Sequence, residues 1–263
     1  MDIVYGLHAV EEALKARGDA FEYVAIFRER RDTRLQRIVE AARSAGVPVR
    51  FMSRDEVTRL AKSPTHQGVA AIVKGKTYAD LENILEQKKS EHLFLVVLDG
   101  VEDPHNLGAL VRTADGAGVD GIVIPERRAV GVNATVAKVS AGASEHIKIA
   151  RVVNIARALD DLKSQGVWIV GLDERGEKTY DQLDYRINCA VVLGAEGSGL
   201  HDLVRRKCDF LVSIPMLGSV PSLNVSVAGG IMMYEVARQR RASEESAQAA
   251  PAAKPKQRRG LGS

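Results

Sequence analysis

From residue 92 onwards the chain alternates short, largely apolar runs with longer segments of helical periodicity. Residues 93–98 are six consecutive apolar residues. Further runs of this kind lie at residues 121–125, 167–172, 189–193 and 211–215. Strands of a parallel sheet are covered on both faces, so they read as continuous apolar runs and do not alternate with polar residues. The βαβα rhythm therefore predicts an α/β domain with a mostly parallel sheet over residues 92–241.

The first 75 residues predict a separate, small α/β domain. Helical spacing of apolar residues occurs in this part, together with extended patterns at 23–27, 48–51 and 69–73. Ser53 is placed to cap a short helix that continues through Leu60. Residues 76–91 are polar with a short helical pattern and are predicted to link the two domains. A chain of 263 residues is long enough for two such domains.

Charge is divided unevenly along the chain, although the net charge is only +3. Residues 1–76 carry 14 basic and 10 acidic side chains, residues 77–237 carry 16 and 22, and the last 26 residues carry 7 and 2. Positive charge at both ends of the chain favours binding to a polyanion such as nucleic acid. Alternatively, the charge serves only solubility. Residues 242–263 lack apolar periodicity and are predicted to be a disordered basic tail, either solvated or in contact with RNA.

Composition argues against several other classes of protein. No run of about 20 apolar residues could span a bilayer, and the first residues lack the basic and apolar regions of a signal peptide. Two cysteines, Cys189 and Cys208, cannot build a disulfide framework, and neither has a cysteine partner at metal-binding spacing. We therefore expect a cytoplasmic protein with no membrane partner and no metal site.

Two unusual loops follow predicted strands, where parallel sheets bind ligands. In residues 99–114, Asn106 is the predicted N-cap of a helix and Arg112 lies about two turns further on. Taken alone, these two residues fit a cap and a surface arginine. In residues 193–200, three glycines surround Glu196, which allows close backbone approach to a ligand or forms a tight turn. Their spacing matches neither a dinucleotide fingerprint nor a phosphate-binding loop.

A third loop, residues 214–228, precedes the last predicted helix, which is expected to run from about Leu223 to Arg240. Ser222, Asn224 and Ser226 place polar groups at its N-terminus, where free N–H groups favour anionic or polar ligands. Gly229 and Gly230 inside the helix would each cost about 1 kcal/mol relative to alanine. Such glycines indicate close helix packing or an interface.

The three loops, in this order, resemble the three motifs of the SpoU (TrmH) family of RNA ribose 2′-O-methyltransferases, within the SPOUT class. The resemblance covers about residues 92–240. Residues 5–14 and 65–69 are similar to the family's N-terminal substrate-binding domain, a small fold like that of ribosomal protein L30e. This pairing is most similar to members that methylate a guanosine in the peptidyl-transferase region of 23S rRNA.

The resemblance implies a homodimer, a C-terminal trefoil knot, a 23S rRNA substrate and S-adenosyl-L-methionine bound in a bent conformation as methyl donor. It assigns cofactor contacts to Gly194, Ile214 and Leu223. It assigns the catalytic edge to Asn106, Arg112, Glu196, Ser222 and Asn224. The knot follows from the resemblance alone, because general rules of chain connection argue against knots.

The implied chemistry is attack of a ribose 2′-hydroxyl on a sulfonium methyl, which requires alignment and loss of the hydroxyl proton. One proposal for the family makes the arginine, here Arg112, the base. A guanidinium keeps its proton at ordinary pH, so we expect Arg112 to bind a phosphate and stabilise the alkoxide. His105 is a weaker candidate base, whereas His8 and His66 are expected to contact RNA or serve structure.

Two alternative functions remain open on the sequence. The same chemistry could act on tRNA, or the chain could be a non-catalytic RNA-binding factor on the same scaffold. A third reading, an NAD-dependent enzyme, lacks the dinucleotide fingerprint.

Overall fold

The structure is a computed structural model that describes residues 1–29, 32–88 and 90–249, with side chains up to residue 242. Two sheets organise these residues. A four-stranded sheet lies in the N-terminal part, and a seven-stranded sheet in the rest of the chain. No helix within the described residues is both long and apolar enough to cross a membrane.

The smaller sheet has the strand order β1-β4-β2-β3. Its strands are β1 (Asp2–Tyr5), β2 (Phe21–Phe27), β3 (Val49–Met52) and β4 (Val69–Val73). Its helices are α1 (Leu7–Arg17), α2 (Thr33–Ser44) and α3 (Arg54–Ala61). Strand β4 is antiparallel to both β1 and β2, whereas β2 and β3 are parallel. Ser53 caps α3 in a capping box with Glu56, which confirms the predicted cap.

The larger sheet is entirely parallel in the order β7-β6-β5-β10-β8-β11-β9, which confirms the predicted fold class. Its strands are β5 (Phe94–Asp99), β6 (Gly121–Pro125), β7 (Lys148–Val152), β8 (Trp168–Leu172), β9 (Lys178–Thr179), β10 (Cys189–Gly194) and β11 (Phe210–Ser213). The remaining helices are α4 (Leu81–Glu86), α5 (Pro104–Gly116), α6 (Ala134–Val139), α7 (Ile155–Ser164), α8 (Asp202–Lys207) and α9 (Val225–Ala249).

Strand β5 is buried on both faces of the sheet, which explains why its sequence is apolar up to Leu98. Phe94, Val96 and Leu98 pack into the core on one face of the sheet, while Leu95 and Val97 pack into the core on the other. None of the five is more than 1% exposed. Helices cover both faces, so no position along the strand can be polar until Asp99 at its carboxyl end.

The order of the strands brings distant loops together. Strand β5 lies between β6 and β10, and Leu98 pairs with Leu193 while Asp99 pairs with Gly194. The first and second loops therefore leave the sheet side by side. Folds of this kind form a ligand crevice where successive connections leave the parallel sheet on opposite sides.

The segment 76–91 packs on the larger sheet. Ala79 bridges to Ala150, and its N–H donates to the carbonyl of Ile149 at 2.9 Å. Ile84 of α4 is fully buried, and a Cβ added at Gly121 would lie 2.6 Å from it. Ala79 and Ile84 of this connection are thus part of the larger core.

Two helix boundaries differ from the prediction. Helix α5 is capped by Asp103, which accepts from the His105 N–H at 2.9 Å, and Pro104 takes its first position. The predicted cap at Asn106 is wrong, because an Asp-Pro pair sets the helix start earlier and leaves Asn106 inside the helix. The last helix begins at Val225, after the predicted start.

Helix α9 also continues to Ala249, past the predicted end at Arg240. The prediction that disorder begins at residue 242 is therefore wrong for residues 242–249. Six of its eight residues are Ala, Glu or Gln, which favour helix, and extending a packed helix avoids the cost of nucleation. The rest of the predicted tail, residues 250–263, lies outside the described residues.

The adjacent glycines of α9 have different surroundings. A Cβ at Gly229 would lie 2.5 Å from Leu110 Cδ2 and 2.7 Å from Leu193 Cδ1, both in the core, whereas at Gly230 its nearest neighbour is Thr113 Cγ2 at 3.8 Å. Overpacking outweighs the gain in helix propensity at Gly229, so we expect Gly229→Ala to lower the free energy of unfolding by about 1–2 kcal/mol.

The matched control is Gly230→Ala, which gains helix propensity without a clash and should leave the free energy of unfolding unchanged or raise it by up to about 1 kcal/mol. Urea denaturation of the two variants measures both effects. Equal effects at the two positions would contradict the assignment of Gly229 to a close crossing of α9 over α5 and β10.

Candidate active site

A cleft of about 660 Å³ opens at the carboxyl ends of β8, β10 and β11. Its walls come from the ends of these strands and from the second and third loops. The three residues predicted to hold the cofactor all line it: Gly194, Ile214 and Leu223. This volume lies within the usual range of small-molecule sites, about 300–1,000 Å³.

Gly194 leaves room for the second loop to fold back over the end of β10. A Cβ at this position would lie 2.1 Å from the carbonyl carbon of Gly199 and 2.3 Å from its oxygen. Ala195 and Gly199 exchange two backbone hydrogen bonds, of 3.1 and 2.9 Å. Gly197 and Gly199 have φ of +80° and +65°, a region that favours glycine. The glycines therefore build a wall of bare backbone beside the cleft.

Asn224 joins the three loops. Its Nδ2 donates to Asn106 Oδ1 at 3.0 Å and to Glu196 Oε1 at 2.6 Å. Its Oδ1 accepts from the N–H of Ser226 at 2.9 Å and so caps α9. Because the cap fixes the amide's orientation, the amide nitrogen must face the other two loops. Asn106, Glu196 and Asn224, hereafter the amide cluster, thus form one hydrogen-bonded unit.

Ser222 and Arg112, the other predicted catalytic residues, do not contact the amide cluster. Ser222 is exposed and lines the main cleft two residues before Asn224. Arg112 is exposed on α5 and lies outside the lining of the two clefts described here. Among the side chains that the structure describes, none forms an ion pair or hydrogen bond with Arg112. Its guanidinium is therefore available to an external anion.

A second cleft, of about 430 Å³, adjoins the first. The two share Ala195, Glu196, Ser198 and Val225. The other residues that line the second cleft are Gly100, Val101, Glu102, Asp103, Asn106, Arg128 and His201. The amide cluster stands at the junction, so a group bound in one cleft would meet a group bound in the other beside Glu196.

Sequence reasoning missed His201. Asp99, at the end of β5, is 5% exposed; its Oδ2 accepts from the His201 N–H at 2.8 Å and its Oδ1 lies 3.0 Å from the ring Nδ1. The available signal was an aspartate at the end of a buried strand and a histidine directly after the second motif. Of the histidines that were considered, His66 is buried and its Nδ1 accepts from the Gly68 N–H, a structural role, whereas His105 is exposed.

The two cysteines are unsuited to nucleophilic chemistry. Burial raises the pKa of the Cys189 thiol to about 11 and that of the Cys208 thiol to about 12. Both groups are therefore protonated at neutral pH, and a thiol is a poor nucleophile. Across residues 1–29, 32–88 and 90–249, no group of three or more His, Cys, Asp or Glu side chains is arranged to hold a metal ion.

Comparison with known proteins identifies the family. Residues 93–234 match the SpoU rRNA methylase family, and residues 3–79 match the substrate-binding domain of RNA 2′-O ribose methyltransferases. The TrmH family protein YacO of Bacillus subtilis is 44% identical over 242 residues, which cover 91% of this chain and 96% of the relative. The chain belongs to the SpoU/TrmH family of RNA methyltransferases.

Solved SpoU structures share both parts of the chain. The SpoU methyltransferase AviRb from Streptomyces viridochromogenes, in complex with AdoMet, has a TM-score of 0.77 at 25% identity and covers 90% of this chain and 89% of its own. The AdoMet-bound rRNA methyltransferase from Sinorhizobium meliloti has a TM-score of 0.73 at 25% identity, over 90% of this chain and 87% of its own. This SpoU/TrmH protein is therefore an RNA 2′-O-ribose methyltransferase that uses S-adenosyl-L-methionine.

The residues of the main cleft fit that methyl donor. Gly194 lets the second loop fold back over the end of β10, and the bare backbone of this loop lines the cleft, so a ligand can rest against it. Ile214 and Leu223 add apolar surface for the flat adenine ring. The polar residues Ser222 and Asn224, before the start of α9, line the cleft beside this surface.

Proposed function

We propose that this SpoU/TrmH enzyme methylates the ribose 2′-hydroxyl of a guanosine in the peptidyl-transferase region of 23S rRNA. The choice of rRNA is supported by the match of residues 93–234 to the SpoU rRNA methylase family, and the substrate-binding domain over residues 3–79 supports an RNA substrate. Its charge supports an RNA partner, because residues 1–76 carry 14 basic and 10 acidic side chains. An rRNA substrate places the enzyme in the cytoplasm, where it takes part in ribosome biogenesis.

The predicted site residues divide into two groups. Gly194, Ile214 and Leu223 would hold S-adenosyl-L-methionine in the main cleft. The bound donor supplies an activated methyl group on a sulfonium. The protein's remaining task is to align the hydroxyl and remove its proton, and alignment alone contributes several kcal/mol. We assign the alignment to the amide cluster, with Ser222 at the rim of the cleft.

Arg112 binds a phosphate of the substrate RNA in this proposal. Its guanidinium is exposed and has no partner among the described side chains, and a planar guanidinium binds phosphate in a bidentate manner. The same positive charge favours the alkoxide that develops on the 2′-oxygen. Arg112→Lys removes the bidentate geometry and is not a conservative change.

Exposed apolar side chains support the proposed homodimer. Leu217 is 99% exposed in the third loop, and Val227 and Tyr234 on α9 are 51% and 55% exposed. The Tyr234 hydroxyl lies 3.1 Å from where a Cβ of Gly116 would stand, one turn after Arg112 on α5. Large exposed apolar surfaces usually mark interfaces, and a second copy here would border Arg112.

Close backbone packing at one edge of the larger sheet is compatible with the proposed trefoil knot. Gly176 lies so close to β11 that a Cβ there would be 2.4 Å from the carbonyl carbon of Val212. The segment before β9 therefore passes against β11 with no room for a side chain, and β9 then pairs with β11. Tight passage of one backbone over another is what a knotted chain requires.

The substrate assignment is tested by transfer of labelled methyl from S-adenosyl-L-methionine to unmodified 23S rRNA and to tRNA in parallel. We expect label at one guanosine of 23S rRNA. Arg112→Ala and Arg112→Lys should both reduce transfer by about 10²-fold while binding of the methyl donor stays unchanged. Label confined to tRNA would overturn the rRNA assignment, and absence of donor binding would favour a non-catalytic RNA-binding factor.

A further inference from the structure

We propose that His201, held in place by Asp99, accepts the proton of the ribose 2′-hydroxyl during methyl transfer. The inference rests on the proposed function, since it names the base for that reaction. It assigns a catalytic role to His201 and a positioning role to Asp99, neither of which is among the site residues predicted from the sequence.

The geometry of the Asp99–His201 pair supports this role. Both Asp99 oxygens point at one residue, with Oδ2 accepting from the His201 N–H at 2.8 Å and Oδ1 lying 3.0 Å from Nδ1. An ionised carboxylate only accepts hydrogen bonds. The Nδ1 atom therefore carries the hydrogen, and Nε2 of the neutral ring has a free lone pair. The contacts of Asp99 thus select both the tautomer and the orientation that a base requires.

The position of the His201 ring in the second cleft also supports this role. The His201 side chain is 55% exposed and lines the second cleft together with Asn106 and Glu196. A Cβ at Gly100 would lie 3.3 Å from His201 Cε1 and 3.5 Å from the Cβ of Ala195, the residue before Glu196. The ring therefore stands in the cleft next to the amide cluster, where an RNA nucleotide would meet the methyl donor.

The other polar groups at this site are less suited to accept the proton. Arg112 is a guanidinium and has no lone pair to offer. Glu196 uses Oε1 to accept from Asn224 at 2.6 Å, and Asp103 uses Oδ1 to cap α5 at 2.9 Å. His201 is the histidine that lines the second cleft among the described residues, and imidazole is the side chain that most readily exchanges a proton near neutral pH.

The step balances in atoms and charge. The 2′-oxygen forms its bond to the methyl carbon as the sulfur–carbon bond breaks, and the electron pair of the broken bond stays on sulfur. The hydroxyl proton passes to Nε2, so the positive charge lost by the sulfonium appears on the imidazolium beside the Asp99 carboxylate. Water then takes the proton from the ring. General-base catalysis of this kind contributes about 10²–10⁴ in rate.

Several ionisable groups face His201 and must be considered in any pH experiment. Asp99 contacts the ring directly, and Arg205 lies one turn along α8, paired with Asp173 and Asp202. The charged residues that share the cleft with His201 are Glu102, Asp103, Arg128 and Glu196. Because Glu196 is a carboxylate that lines both clefts, its variant is included in the test.

The test is the single-turnover rate of methyl transfer to 23S rRNA as a function of pH for wild type, His201→Gln and Glu196→Gln. In the wild type we expect the rate of methyl transfer to decline at acid pH. His201→Gln should lower the rate by about 10²-fold or more and remove that decline. Glu196→Gln should keep that decline. Binding of S-adenosyl-L-methionine should be unchanged in His201→Gln, since the exposed side chain lies outside the main cleft.

Two further variants separate catalysis from structure. Added imidazole should restore part of the rate to His201→Ala, and Asp99→Asn should lower the rate and shift the acid limb. A wild-type rate in His201→Gln, or loss of the acid limb only in Glu196→Gln, would overturn the proposal. If the wild-type protein transfers no methyl group to RNA, the proposed function fails. That result is distinct from the outcomes that overturn only the role of His201.

Discussion

Gly194→Ala is expected to abolish binding of S-adenosyl-L-methionine. The added Cβ would lie 2.1 Å from the carbonyl carbon of Gly199 and 2.4 Å from the N–H nitrogen of Leu200. These are backbone atoms, so relief requires the whole second loop to move away from β10. That movement removes one wall of the main cleft, and we expect an affinity loss of at least about 10²-fold, or about 2.7 kcal/mol.

Isothermal titration calorimetry with the methyl donor measures this effect. The matched control is Gly218→Ala in the third loop, because a Cβ at Gly218 would have no heavy atom within 4 Å. Its affinity for the donor should stay close to that of the wild-type protein. Wild-type affinity in Gly194→Ala would show that the second loop does not form the wall of the donor site.

Asn224→Ala is expected to lower the rate of methyl transfer by about 10²–10³-fold, the range seen when one positioned hydrogen-bond donor is removed from an active site. The variant loses the Nδ2 donor that orients Asn106 and Glu196. It also loses the Oδ1 acceptor that caps α9, which should lower the free energy of unfolding by about 1 kcal/mol.

Asn224→Ser separates the two roles, because serine caps helices about as well as asparagine. Its short side chain carries no amide to donate to Asn106 and Glu196 together. We therefore expect Asn224→Ser to keep near-wild-type stability in urea denaturation and to lose methyl transfer as Asn224→Ala does. Wild-type activity in Asn224→Ser would show that the amide cluster is not part of the catalytic edge.

The parallel sheet could be predicted because its central strands are buried on both faces, as β5 shows with Phe94 and Leu95 packed on opposite sides. Strand β7 was missed because Lys148 and Arg151 interrupt its apolar pattern. Strand β1, at one edge of the smaller sheet, was also missed. Local pattern therefore revealed the central strands of the larger sheet most clearly.

The candidate site required more than local pattern. The contact between Asn106 and Asn224 joins residues 118 positions apart, and that between Asp99 and His201 joins residues 102 apart. Periodicity carries no information on strand order, so nothing local indicates that β5 and β10 are neighbours. The family motifs pointed to the amide cluster residues, whereas His201 lies outside those motifs and became visible only in the fold.

The central claim is that the two clefts bring an RNA 2′-hydroxyl to the methyl donor. Its most direct test is to map the labelled nucleotide and then to offer an RNA substrate in which that one nucleotide is 2′-deoxy. We predict an alkali-resistant linkage at the mapped nucleotide of the unsubstituted RNA and no transfer to the deoxy substrate. Undiminished transfer to the deoxy substrate would place the methyl group on the base and contradict the account.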